Sequence, residues 1–116
     1  MDTMDSAVGK LFSLFLEEAA DVQMPVFDQL LYLHLLRVEG KRRFARWFEC
    51  GDVLLQAWTG MPDRESLLAV RNRLKQRGWI DFIPCEKGVA RYQLTTPEHL
   101  SSVHIPVNVQ QERQSV

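Results

Sequence analysis

The stretch VRNRLKQRGWIDF carries Arg71, Arg73, Lys75 and Arg77 within seven positions, just before a glycine and an aromatic, apolar segment. Such a run does not suit proton transfer, because Lys and Arg keep their charge near neutral pH. It suits anion recognition, since guanidinium and ammonium groups along one helix face supply phosphate contacts. Asn72 stands among them, and a side-chain amide can pair bidentately with adenine in the major groove. Catalysis finds no comparable set. The three His are scattered, Glu17 and Glu18 are adjacent rather than convergent, and no Gly-rich loop is present to cradle a phosphate. Cys50 and Cys85 have no Cys or His nearby at metal-ligand spacing and read as free thiols. The expectation is a protein that is not an enzyme, with no catalytic residue, no metal and no cofactor. His34, within an apolar segment, reads as a hydrogen-bonded core or edge histidine.

The elements that would position the basic run follow from periodicity and punctuation. In SAVGKLFSLFLEEAAD, residues Val8, Leu11, Phe12, Phe15, Leu16 and Ala19 recur at spacings of three and four, which predicts an amphipathic helix with Ser6 as its cap. In MPVFDQLLYLHLLRVEG the apolar residues cover nearly the whole circumference, which predicts a central, buried helix opened by Pro25 and stopped by Gly40. A small strand is expected near WFEC, then a short helix in GDVLLQAWTG, capped at Gly51 or Asp52 and stopped by Gly60. Asp63 is the better cap for the basic helix and Gly78 its stop, with Lys75 and Arg77 complementing the dipole in the last turn. The alternating WIDFI and ARYQL then predict a β-hairpin with a loop of about six residues.

Two short helices joined by a Gly-containing turn and followed by a two-stranded wing describe a winged helix-turn-helix. The fold class expected is therefore mainly α with a small β-hairpin, a winged helix-turn-helix with an additional N-terminal helix. The organisation is an acidic helix and linker at 1–24, the winged-helix domain at 25–96, and a flexible or extended tail at 97–116. On a helical wheel of residues 63–77, Leu67, Val70 and Leu74 point inward, while Glu65, Ala69, Asn72, Arg73 and Gln76 point outward. Ala57 is small, as a close helix crossing requires, and Trp58 is expected to be largely buried beside Leu55 and Leu67. In the tail, Val103, Ile105, Val107 and Val109 alternate, so any order there should be extended rather than helical.

Charge sharpens this picture. The 116 residues carry a net charge of −1, yet residues 37–91 hold twelve Lys or Arg against seven Asp or Glu, while residues 1–36 hold one Lys against six acids. An acidic head on a basic body suggests an anionic partner for the body. No secretory signal and no run approaching the roughly 20 apolar residues of a membrane span are seen, so a cytoplasmic location away from membranes is expected.

LYLHLLRV, WFEC, LLQAWTGM, VRNRLKQRGWIDF and ARYQL, in that order, resemble the N-terminal winged-helix domain of DnaD-like primosomal and phage replisome-organiser proteins. The resemblance covers about residues 25–95, and TG followed by RNRLKQRGWIDF is its most specific part. It implies a non-enzymatic DNA-replication protein that binds origin or phage DNA, self-associates and helps to load a helicase.

The residues expected to meet double-stranded DNA are Arg64, Asn72, Arg73 and Lys75 on the helix, with Lys87 and Arg91 on the wing. Lys41, Arg42, Arg43 and Arg46 either contact the DNA backbone or form a solvated loop. Arg71, close to the inward stripe, is a candidate for an ion pair with Glu49 or Asp52. The alternative function is a protein-interaction or oligomerisation scaffold without sequence-specific DNA binding, either as a homo-oligomer or toward another replication protein. Leu68 and Ala69 suit such docking, and the acidic N-terminal helix would then pack either on another subunit or on the helix at 25–39.

Overall fold

The computed structural model of the chain describes residues 3–41 and 47–101. Two long helices come first, α1 (Thr3–Val22) and α2 (Val26–Lys41). α1 ends where Gln23 takes a left-handed φ of 53° and the Met24 N–H turns back to the Ala19 carbonyl at 2.9 Å. Ser6, expected as the cap of α1, lies inside the helix instead. Strand β1 (Phe48–Gly51), helix α3 (Asp52–Thr59) and helix α4 (Arg64–Arg77) follow. A hairpin of β2 (Ile80–Pro84) and β3 (Val89–Leu94) leads to the short helix α5 (Glu98–Ser101). The described residues are thus mostly helical, with one small antiparallel sheet of three strands in the order β1-β3-β2. None of their helices is long and apolar enough to cross a membrane.

The local signals for α3 and α4 act as their chemistry requires. Gly60 closes α3 at φ 81° and donates its N–H to the Gln56 carbonyl. Asp63 opens α4 by accepting the Ser66 N–H at 2.8 Å, and these hydrogen bonds hold its carboxyl below the usual carboxylate range. Gly78 ends α4 at φ 92°, where a left-handed backbone favours glycine.

In the sheet, Phe48 lies opposite Tyr92, Cys50 opposite Ala90 and Phe82 opposite Tyr92. Since side chains alternate along a strand, these residues share the inner face, and all are buried or half-buried. The small strand expected near WFEC therefore joins the hairpin as its third strand. The connection from β2 to β3 is residues 85–88, shorter than expected, because Pro84 and Val89 belong to the strands.

A single core joins the helices to the sheet. Phe15 of α1 stacks on Tyr32 of α2 with centroids 4.1 Å apart, and both meet Trp79 edge-on. Packing on α2, one of the two placements open for the N-terminal helix, is the one observed. Trp79, rather than Trp58, is the fully buried tryptophan. Trp58 is half-buried, because the inward stripe of α3 is centred on Asp52, Leu55 and Thr59 and Trp58 stands at its edge. Ala57 is exposed, so its size is not set by a helix crossing.

The chain after β3 folds back on the end of α4. Thr95 donates its N–H to the Trp79 carbonyl and its hydroxyl to the Gly78 carbonyl, and Pro97 is buried. The expectation that order after residue 97 would be extended is corrected by α5. His99 on this turn lies 3.2 Å from Glu18 of α1, and Leu100 packs on the core, so local apolar contact outweighs the weak helical period. The alternating residues 103–109 lie outside the described residues.

Candidate nucleic-acid interface

α4 is the element on which the candidate residues converge, and its inner and outer faces fall as the wheel predicts. Leu67, Val70 and Leu74 are buried, while Glu65, Ala69, Asn72, Arg73 and Gln76 are exposed. The basic side chains do something the sequence alone does not announce. Four cations on α4 meet three carboxylates, one each on α2, α3 and β2.

Arg73 reaches across to α2. Its Nε and Nη2 donate to the two oxygens of Asp28 at 2.9 and 2.7 Å, a parallel, bidentate bridge. Asp28 is fully buried, in the first turn of α2 where the helix dipole also favours a negative charge. The bridge raises the pKa of the Arg73 guanidinium further. Arg73, expected to neutralise a phosphate, is in this structure a tie between α4 and the central helix. The physical reason is that a fully buried carboxylate left without its cation is costly, which favours keeping the guanidinium on Asp28.

Arg71 is buried as well. Its Nη1 donates to Asp52 Oδ1 at 3.1 Å and to the Tyr92 hydroxyl at 3.0 Å, and its guanidinium lies 4.7 Å from the Phe82 ring centre. Of the two partners open to it, Asp52 is the one observed. Burial pushes the Tyr92 hydroxyl up to about 12, against the opposing effect of the Arg71 bond and charge. Arg64 donates from Nε to the other oxygen of Asp52 at 3.2 Å. The Asp52 N–H donates to the Gly88 carbonyl at 2.8 Å, so one residue joins α3, α4 and the hairpin turn. Lys75 lies 3.2 Å from Asp81 of β2.

These pairs differ in how much charge they leave available. Arg64 and Lys75 keep 60% and 51% of their side-chain surface in water, and pairs so exposed are weak enough to open toward another anion. Arg77 is exposed in the last turn, with no carboxylate partner among the described residues. The sequence reasoning passed over Arg77 as a site residue, although its place in the basic run was the available signal.

The two residues expected on a wing divide. Lys87 is exposed in the hairpin turn, at a left-handed φ of 63°. Arg91 lies opposite Glu49 and Ile83 on the outer face of the sheet, with its guanidinium 5.7 Å from the Trp47 ring centre. Tyr92, its neighbour, points inward to Arg71 on α4. Alternation along β3 therefore turns Arg91 away from α4, and the two do not form one surface. Of the remaining expected backbone contacts, Lys41 closes α2, and Arg42, Arg43 and Arg46 lie outside the described residues.

The geometry thus brings Arg64, Asn72 and Lys75 to one side of α4, while Arg77, two residues beyond Lys75, is exposed on the other side of the same last turn. Arg71 is withdrawn into the fold, and Arg73, still exposed, is tied to Asp28. Among the described residues no group of three His, Cys, Asp or Glu is placed to hold a metal ion. No protein-family model, no curated protein and no solved structure matches the chain.

Proposed function

We propose that the domain is a winged helix whose α4 meets double-stranded DNA through its outward face, with the turn between β2 and β3 as the wing. The observation that carries this reading is the exposed polar face of Arg64, Asn72, Lys75 and Gln76, with Arg77 beyond its edge, on a helix anchored by the bridges of Arg71 and Arg73 to buried carboxylates. A helix held by these two bridges presents its polar face with little further ordering cost, which favours binding. Phosphate contact would come from Arg64, Lys75, Arg77 and Lys87, and base contact from Asn72. With few cations and one amide, affinity should rest mainly on the DNA backbone. The setting is that of a DNA-replication initiation protein, as the sequence resemblance suggests, acting in the cytoplasm without catalysis or cofactor. Replication proteins and further copies of the chain are its protein partners in this reading.

The alternative, an interaction or oligomerisation scaffold, draws support from the same salt bridges, because cations tied to carboxylates offer less to a polyanion. A fluorescence anisotropy titration of a labelled duplex at low salt separates the two. Charge reversal of Lys75 and Arg77 together should abolish binding, and Arg91→Glu should leave it unchanged. No binding by the unaltered chain at low salt would leave the scaffold reading in its place.

A further inference from the structure

We propose that the outward face of α3 is a docking site for an acidic amphipathic helix of another protein. The proposal does not rest on α4 meeting DNA. α3 reads DVLLQAWT, and its one charged residue, Asp52, is turned inward to Arg71 and Arg64. What remains toward water is Val53, 79% exposed, Leu54, 46% exposed, and Ala57, with half-buried Trp58 beside them. Solvent-facing helix surfaces are normally charged or polar, so an uncharged one beside a half-buried aromatic marks a contact surface.

The edge of this face is formed by α2. The Arg37 guanidinium lies 4.5 Å from the Trp58 ring centre, and its Nη2 is 3.2 Å from His34 Nδ1. His34 itself stacks on Trp58 with centroids 5.4 Å apart. Arg has only donors, so His34 Nδ1 is the acceptor in that contact. Burial and then the Arg37 charge lower the His34 pKa, opposed by a hydrogen bond with the Trp58 backbone. Among the described residues, α3 turns no carboxylate outward on this face, and Arg37 places a cation at its rim. Its complement is an apolar stripe edged by acids.

Residues 53–58 rise by about 7.5 Å along the axis, matching little more than one turn of a partner helix. A patch this small makes a weak, transient contact. Aromatic and Arg anchors of this kind carry much of the energy in small interfaces.

The test uses a synthetic amphipathic peptide of about 18 residues, long enough to sustain some helix, with Leu on one face and Glu on the rest. A second peptide replaces each Glu with Lys. Added to the full chain and followed by two-dimensional NMR, the acidic peptide should shift Val53, Leu54 and the Trp58 indole saturably, and the basic one should not. Leu54→Asp, an exposed change that leaves the core intact, should weaken binding at least tenfold. Arg37→Glu should reverse the preference toward the basic peptide. Equal response to both peptides, shifts confined to α4, or no response would overturn the proposal. So would a dimer of the chain alone that Leu54→Asp dissolves, which would give the face to a second copy. Saturable shifts at Trp58 from oligothymidine would overturn it in favour of a single-stranded nucleic acid.

Discussion

Replacing Arg73 with alanine distinguishes a phosphate ligand from a structural tie. In the folded chain both oxygens of the fully buried Asp28 accept from this one guanidinium. The substitution leaves a carboxylate beneath α4 with neither hydrogen-bond donor nor counter-charge. Breaking a buried pair from one side costs about 3–5 kcal/mol. Because 44% of the Arg73 side chain is already exposed, water reaches the vacated position and relieves part of that cost. A loss of about 2–3 kcal/mol is expected, or a fall of roughly 10–20 °C in melting temperature for a domain of this size. Urea denaturation followed by circular dichroism measures it. Asp28→Asn added to Arg73→Ala should recover much of the loss, since the orphaned charge is then gone. Duplex binding by the folded variant should keep the salt dependence of the parent. A urea midpoint unchanged by Arg73→Ala, together with a salt slope shallower by about one unit, would refute the reasoning and make Arg73 a phosphate ligand.

Glu39 is 5% exposed on α2, and burial raises its carboxyl to about 7. A folded state that holds this proton more tightly than the unfolded chain loses stability as pH rises from about 4.5 to about 7. Glu39→Gln should therefore match the parent near pH 4.5 and exceed it by roughly 2–3 kcal/mol at pH 8 in urea titrations; equal stability at both pH values would contradict this. Gly78 has φ 92°, and a Cβ there would stand 2.9 Å from the Pro97 Cα. Gly78→Ala should lower the melting temperature by more than an ordinary surface change, with backbone strain alone costing about 1–2 kcal/mol. A neutral result in calorimetry would mean that residues 95–97 do not pack on the end of α4.

Much of this fold is written locally in the chain. Asp63, Gly60 and Gly78 mark helix ends because capping depends on one or two residues, and the inner stripe of α4 follows from its period alone. What the chain hides is which distant group each charge meets. Arg71 was legible as an ion-pair partner because it sits beside the inward stripe, and Asp52 begins the preceding helix. Arg73 was not, since its partner lies 45 residues away. A signal did exist in Asp28, an acid set in a helix apolar nearly all round, which can be buried only beside a cation. Trp58 was likewise expected to be more buried than it is, because eight residues of helix define the inward direction poorly. The joining of β1 to the hairpin depends on pairing across 38 to 44 positions, which no local pattern encodes.

The central claim is that α4 offers DNA its outer cations while its other cations hold the fold. The salt dependence of duplex affinity measures this most directly, by anisotropy titration at a series of potassium chloride concentrations. Four contacts, from Arg64, Lys75, Arg77 and Lys87, predict a slope of log affinity against log salt of about −3.6. Duplex binding that is absent at low salt, or that does not weaken with salt, would contradict it.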